Sequence, residues 1–202
     1  MKKTIAVIGV SIGLTITLWE KYLNYLSLDK SLVLFSLFLF FLTFIFIKFN
    51  QYYFKEVAKG APYVPTDDET IQNILALAEI KKGQEVVDLG SGDGKMIIQF
   101  AKSGAIATGY EISPVLVWLT KYKIWKNKLS GNAYVYKRDF WKEDLSQFDV
   151  VILFGIPYIM DELAQKLSTE LHPHAKIISN KFEFPSWKAK RKMGRATLYT
   201  LK

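Results

Sequence analysis

Two stretches near the start of the chain are mostly apolar, and the second of them leaves no polar face at helical spacing. Residues 4–18 are uncharged and mostly apolar after Lys2 and Lys3, and residues 31–47 are dense in Leu and Phe. A helix that meets water on one side needs a polar stripe, and the second run supplies none; the first run is shorter and milder. At 1.5 Å per residue the second run makes a helix of roughly 25 Å, which flanking aromatics extend toward the ~30 Å of a bilayer core. Trp19, Tyr22 and Tyr25, then Tyr52, Tyr53 and Phe54, gather at the run ends, where interfacial rings belong. The pattern predicts a transmembrane helical hairpin, about 4–19 and 31–49, forming a membrane anchor over residues 1–55. A cleaved signal segment is the rival for the first run, but Leu18-Trp19-Glu20 lacks the small-x-small pattern of a cleavage site. Lys2 and Lys3 precede the hairpin, Lys48, Lys55 and Lys59 follow it, and the connecting loop is balanced. Both termini, and the domain downstream, are therefore expected on the cytoplasmic side.

The pattern changes after the anchor. Gly60-Ala61-Pro62-Tyr63-Val64-Pro65 reads as a stiff connector. Thr66-Asp67-Asp68-Glu69 reads as a capping box in which the Thr66 hydroxyl and Glu69 satisfy each other's backbone donors. Ile71, Ile74, Leu75, Leu77 and Ala78 follow at helical spacing, and Lys82-Gly83 closes that helix. Strand-like segments at 85–89, 105–111, 133–137, 150–154 and 176–180 then alternate with helix-like ones at 95–102, 114–128 and 161–171. This alternation predicts an α/β domain over residues 56–202, a parallel sheet with helices on both faces. Residues 196–201 read as a last, antiparallel strand after a Met193-Gly194 turn.

Composition narrows the chemistry. The 202 residues include no cysteine and two histidines, which excludes a disulfide scaffold, a thiolate metal site and a cysteine nucleophile, and no metal site is expected. The formal charge of +8 is unevenly placed: residues 1–60 hold 7 cations against 3 acids, 61–170 hold 12 against 15, and 171–202 hold 8 against 1. Basic ends around a mildly acidic middle suit a chain held near an anionic surface, with a lipid bilayer rather than a nucleic acid as partner. The basic stretch Lys188-Ala189-Lys190-Arg191-Lys192, with Arg195, has two readings: a charged strand edge that resists pairing, or a patch facing an anionic leaflet.

The strongest chemical signal is Val86-Val87-Asp88-Leu89-Gly90-Ser91-Gly92-Asp93-Gly94-Lys95, a strand running straight into a helix. Glycines there let the backbone pass close to a ligand at the carboxyl end of the strand. A dinucleotide loop would space its third glycine one residue later, and Asp88 would repel a pyrophosphate. The same carboxylate suits a ligand with a positive ammonium, which points to S-adenosyl-L-methionine. Glu111, 23 residues after Asp88 at the end of the next strand, can accept from both ribose hydroxyls. Asp139 can accept from the adenine amino group while Phe140 or Trp141 covers the ring, or it can cap a turn. Phe154-Gly155-Ile156-Pro157-Tyr158 lies where the transferred methyl would be, and Asp139 and Tyr158 are the candidates for a role at the reacting amine. Tyr158 reads equally as an aromatic packed on the sheet edge.

Pro62-Tyr63-Val64-Pro65-Thr66, Val87 to Gly94, Gly109-Tyr110-Glu111, Asp139-Phe140-Trp141-Lys142, Phe154-Gly155 and Phe182-Glu183-Phe184-Pro185-Ser186-Trp187 occur in that order. Together they resemble the class I, seven-strand S-adenosylmethionine-dependent methyltransferases. More closely, they resemble the membrane-anchored protein-lysine methyltransferases of the adenine nucleotide translocase and ATP synthase c-subunit type. The resemblance implies a Rossmann-like class I methyltransferase sheet and S-adenosyl-L-methionine held by Asp88, Gly90, Ser91, Gly92, Gly94, Glu111, Asp139 and Phe140. It implies an acceptor-side wall or lid from Pro62, Tyr63, Val64, Pro65 and Thr66, with Phe184, Pro185 and Trp187. The expected acceptor is a lysine of a protein. A membrane protein is in view, because an apolar segment ahead of the domain is a trait of the family. Lys181 stands where an arginine is expected, and no arginine-rich leader is present, so a prokaryotic inner membrane is the preferred setting and the mitochondrial inner membrane the alternative. Methylation of a small molecule, lipid head group or RNA, and a tethered binding domain without turnover, are the competing functions.

Overall fold

The computed structural model describes residues 17–22, 24, 29–57 and 63–201. The chain divides into two compact units, Met1–Lys55 and Glu56–Lys202. All but the end of helix α1, Lys30–Val57, belongs to the first. Asp29 opens the helix, its carboxylate accepting from the Ser31 backbone N–H at 2.8 Å. Lys30–Gln51 is long and apolar enough to cross a membrane, and its Leu, Ile and Phe side chains are exposed. The few polar groups are satisfied inside the helix: the Ser36 hydroxyl donates to Leu32 O at 2.6 Å and Thr43 donates to Leu39 O. Most of the first apolar run, and with it the expected hairpin, lies outside the described residues.

The second unit is built on one seven-stranded sheet in the order β3-β2-β1-β4-β5-β7-β6. Its strands are β1 Glu85–Leu89, β2 Ile106–Glu111, β3 Ala133–Lys137, β4 Val150–Leu153, β5 Lys176–Asn180, β6 Arg191–Met193 and β7 Ala196–Thr200. β1 to β5 are parallel, and β7 runs antiparallel between β5 and β6. Helices α2 Asp68–Ala78, α3 Lys95–Lys102, α4 Pro114–Lys126 and α5 Met160–Glu170 cover the faces. One apolar core packs α2, α3 and α4 around Val86, Ala107, Ile152 and Ile178. The other packs α5 and the Phe184 loop around Val87, Val151, Ile177 and Tyr199. Alternation along each strand sends neighbours to opposite cores, which is why the buried strands read as continuous apolar runs.

Several boundaries differ from the sequence expectation. The cap of α2 is Asp67, which accepts from the Thr70 N–H at 2.8 Å, not Thr66. An aspartate there also pairs with Arg195 at 2.8 Å, which a hydroxyl could not do. The helix ends at Glu79 in the left-handed region (φ 47°), before Lys82-Gly83. α4 stops at Lys126, with Asn127 as its cap. β6 is an additional edge strand, three residues held by backbone pairing to β7.

Candidate active site

The sheet order reverses between β1 and β4, since β1 connects outward to β2 and β3 and the chain then returns to the other side of β1. A crevice opens at the carboxyl ends of the strands at such a point. Asp88 sits one residue before the end of β1, paired in register with Gly109 and Ile152. Its carboxylate is buried, and no donor hydrogen-bonds it among the described residues. Burial first, then the charges of Glu111 and Asp93, push its carboxyl up to about 7.

Glu111, at the end of β2, is also buried. One of its oxygens accepts from the Gly92 N–H at 2.9 Å and the other from the Ser113 N–H at 2.8 Å. The carboxylate thus ties the glycine turn to the start of α4 and keeps lone pairs for further donors. Gly90, Gly92 and Gly94 all have positive φ, which glycine tolerates, but they do different things. A side-chain carbon added at Gly90 would meet no atom within 4 Å, so the turn is open on that side. At Gly92 it would strike the Tyr63 ring at 2.6 Å, and at Gly94 it would run into Thr120. Ser91 Oγ is buried without a partner among the described residues.

Residues 63–66 cross the crevice as a strap. The Tyr63 ring stands against Gly92, and burial first, then the neighbouring Asp93 carboxylate, push its phenol up to about 12. Burial opposes the charge on Asp93, yet Lys123, the Lys95 N–H and Tyr63 together hold its carboxyl below the ordinary value. Lys95 Nζ donates to Thr66 O at 3.0 Å and pairs with Asp68 at 2.8 Å. At the far end, Asn180 Nδ2 at the end of β5 reaches the Thr66 hydroxyl at 3.4 Å, while Asn180 Oδ1 stays buried and unpartnered among the described residues. The structure therefore brings Tyr63 and Thr66 of the expected acceptor wall to the crevice, with Val64 and Pro65 exposed between them; Pro62 lies outside the described residues.

Other expected residues fall differently. Asp139 accepts from the Trp141 N–H at 3.2 Å and caps a 3-10 turn, Phe140–Lys142. Phe140 and Trp141 are half-buried against the second core, their rings 5.1 Å apart. Tyr158 is 81% exposed, so it is not packed on the sheet edge: its turn, Pro157–Ile159, holds it out from the domain. Phe184 is not an acceptor-facing residue. It is 2% exposed, its ring 4.3 Å from Trp187 and 5.3 Å from Tyr199, because a large apolar ring gains more from the core than from the rim. Trp187 is half-buried in the same cluster, and Pro185 is exposed. Sequence reasoning did not single out Asn180, Lys95, Lys123 or Thr120, each of which acts on a partner 28 or more residues away.

The donor and acceptor set fits a ligand that is cationic at one end and carries hydroxyls further along. Asp88 offers a buried carboxylate without a counter-charge, Gly90 offers space, Ser91 an idle hydroxyl, and Glu111 a second carboxylate one strand away. With this sheet order, these features define the Rossmann-like S-adenosylmethionine-dependent methyltransferases. A solved RNA methyltransferase of Salinibacter ruber in complex with S-adenosyl-L-homocysteine superimposes with a TM-score of 0.64 at 28% identity, over 68% of this chain and 92% of that one. The chain belongs to the ANTKMT methyltransferase domain family, whose profile matches residues 88–191. It is 40% identical over 126 residues to the human ATP synthase c-subunit lysine N-methyltransferase, covering 62% of this chain and 54% of that protein. It is 34% identical over 131 residues to a protein-lysine N-methyltransferase of Saccharolobus islandicus, covering 64% and 81%. The chain thus spans about half the length of its human relative. S-adenosylmethionine is the cofactor of this family.

Proposed function

We propose that this chain is a membrane-anchored enzyme that transfers methyl groups from S-adenosylmethionine to lysine side chains of a protein. The observation that carries the acceptor class is its 40% identity over 126 residues with a lysine N-methyltransferase. The bound cofactor supplies a methyl on a sulfonium; the N–C bond forms as the C–S bond breaks, with the electron pair left on sulfur. In this reading Asp88 holds the cofactor ammonium, Glu111 accepts from the ribose hydroxyls, and Gly90, Ser91 and Gly92 line the turn between them. Asp139 and Phe140 border the adenine side. The lysine must lose its proton before it can attack, and a strap that excludes water favours the neutral amine. Tyr63 and Thr66 hold that strap over the crevice, and Asn180 Oδ1 is an acceptor for one amine N–H.

In this reading Lys30–Gln51, long and apolar enough to cross a membrane, is the anchor and the first apolar run its hairpin partner, and the lysines flanking the two runs support a cytoplasmic side for the domain. A membrane protein is then the nearest acceptor. The test is to incubate the purified full chain with tritiated S-adenosylmethionine and host membranes, then separate protein, lipid and RNA. Label is expected in protein and, after acid hydrolysis, in methylated lysine. Label confined to RNA or lipid would reject the acceptor class and leave the methyltransferase reading intact.

A further inference from the structure

One helix is apolar on the side that faces away from the domain. Val117, Thr120 and Ile124 of α4 are buried against the sheet. On the opposite side Val115, Trp118, Tyr122 and Trp125 are exposed, Trp118 and Trp125 each by 69%. The rings already stand against one another. Trp118 and Tyr122 stack with centroids 6.3 Å apart and an interplanar angle of 12°, and Tyr122 and Trp125 are 6.1 Å apart. At 100° per residue these four positions form one stripe, about 15 Å long, with Lys121 on one flank and Lys126 on the other. Large exposed apolar stripes on a soluble face call for an occupant.

The charge around the stripe says which. Residues 112–138 contain six Lys and Arg and no Asp or Glu. Lys123 is taken up by Asp93 and Arg138 by Glu143, whereas Lys121, Lys126 and Lys128 have no acidic partner among the described residues. The basic C-terminal stretch, the other candidate for an anionic surface, is largely neutralised: Arg191 pairs with Glu79, Lys192 with Glu183 and Arg195 with Asp67. Trp and Tyr with a polar tip, flanked by long lysines, are the side chains that settle at the boundary between lipid head groups and acyl chains.

We infer that α4 is a membrane-docking helix, its Val115–Trp118–Tyr122–Trp125 stripe lying in the interface of an anionic bilayer and Lys121, Lys126 and Lys128 on its lipid phosphates. The occupant is a lipid surface rather than a second copy, since two such faces would set unpaired lysines against each other. α4 is capped by Ser113, whose N–H donates to Glu111, so a helix lying in the membrane plane puts the crevice at one end of that contact, opening along the surface. This docking does not depend on which acceptor is methylated.

The absence of cysteine makes a direct test possible. Val115→Cys, and Ser168→Cys on α5 as control, each take one environment-sensitive fluorophore in the full chain. The labelled proteins are reconstituted in vesicles of phosphatidylcholine alone and of equal parts phosphatidylcholine and phosphatidylglycerol, with nitroxide lipids as quenchers. Quenching is expected at position 115 in the anionic vesicles, several-fold above that at 168 and above that in neutral vesicles. Lys121→Gln with Lys126→Gln and Lys128→Gln, and separately Trp118→Ser with Trp125→Ser, should remove most of it at unchanged cofactor affinity. No quenching at 115, equal quenching at 115 and 168, or no difference between the two lipid mixtures would overturn the inference. So would a response in lipid-free detergent that grows with protein concentration, or a response to RNA alone. Flotation of the vesicles is read in parallel, so failure of the α1 anchor is distinguished from failure of α4 docking.

Discussion

An ionised Asp88 and the ligand-free fold work against each other, and pH separates them. The carboxyl, raised from 3.8 to about 7 by burial and then by Glu111 and Asp93, keeps its proton in the folded chain over a range where the unfolded chain has lost it. Stability of the ligand-free protein therefore falls as pH rises from about 4 to about 7, and the whole penalty is present above that. Asp88→Asn should raise the melting temperature at pH 8, with the gap closing toward pH 4. The same change should weaken S-adenosylmethionine binding by roughly ten- to a hundred-fold, since a charge-assisted hydrogen bond contributes about 1.5–3 kcal/mol. Wild-type affinity should itself decline below about pH 7. Calorimetric titration across pH checks this, and a flat affinity profile would remove Asp88 from the ammonium site. Glu111 should behave in the opposite way. Its carboxylate satisfies the Gly92 and Ser113 donors, so Glu111→Ala should lower both melting temperature and affinity, and Glu111→Gln, which keeps one acceptor, should lower each less.

At the level of elements, the turn after β1 should separate a ligand role from a packing role within five residues. Gly90→Ala puts a methyl into open space at φ 81°. It should cost about 1–2 kcal/mol of stability through the left-handed backbone, and it should lose far more in cofactor affinity. Gly94→Ala drives the methyl into Thr120 at the base of α4, so its loss should be mainly in thermal stability. Unfolding midpoints and cofactor dissociation constants for the two variants give the comparison, and equal ratios would mean that Gly90 does not face the ligand. The positions of Asp88, Gly90 and Glu111 were legible in the sequence because each follows from where a strand ends. The parallel strands were legible because their apolar runs alternate with helical spacing. β6 was not, since Arg191-Lys192-Met193 has no apolar alternation and is held by backbone bonds to β7 alone. The strap was only half legible. Its prolines mark a stiff segment, but what fixes it is Tyr63 against Gly92, Lys95 on Thr66 and Asn180 on Thr66, contacts across 29 to 114 positions that no local pattern encodes. Phe184, expected on the acceptor side, lies in the core, and Tyr158, for which edge packing was one of two readings, is exposed, for a related reason: sequence shows an aromatic beside a turn but not which way the turn sends it.

For the whole molecule, the uneven charge of +8 and the division at residue 55 bear on the same question, how the site meets its acceptor. Among the described residues, both apolar cores are drawn from residues 71 to 201. A chain beginning at Glu56 should therefore unfold at the same temperature as the full chain in detergent and bind S-adenosylmethionine equally well. Its activity should split by acceptor. Confinement to a surface raises the effective concentration of a site toward anything in that surface, by factors of about a hundred or more, without adding a contact. The truncated chain should thus methylate a soluble lysine peptide at the full-length rate and a membrane-embedded acceptor much more slowly. Side-by-side rates on both acceptors, in vesicles of fixed composition, decide it. Equal rates on the embedded acceptor would show that the apolar segment does not serve encounter, and loss of cofactor binding in the folded truncation would show that it belongs to the domain.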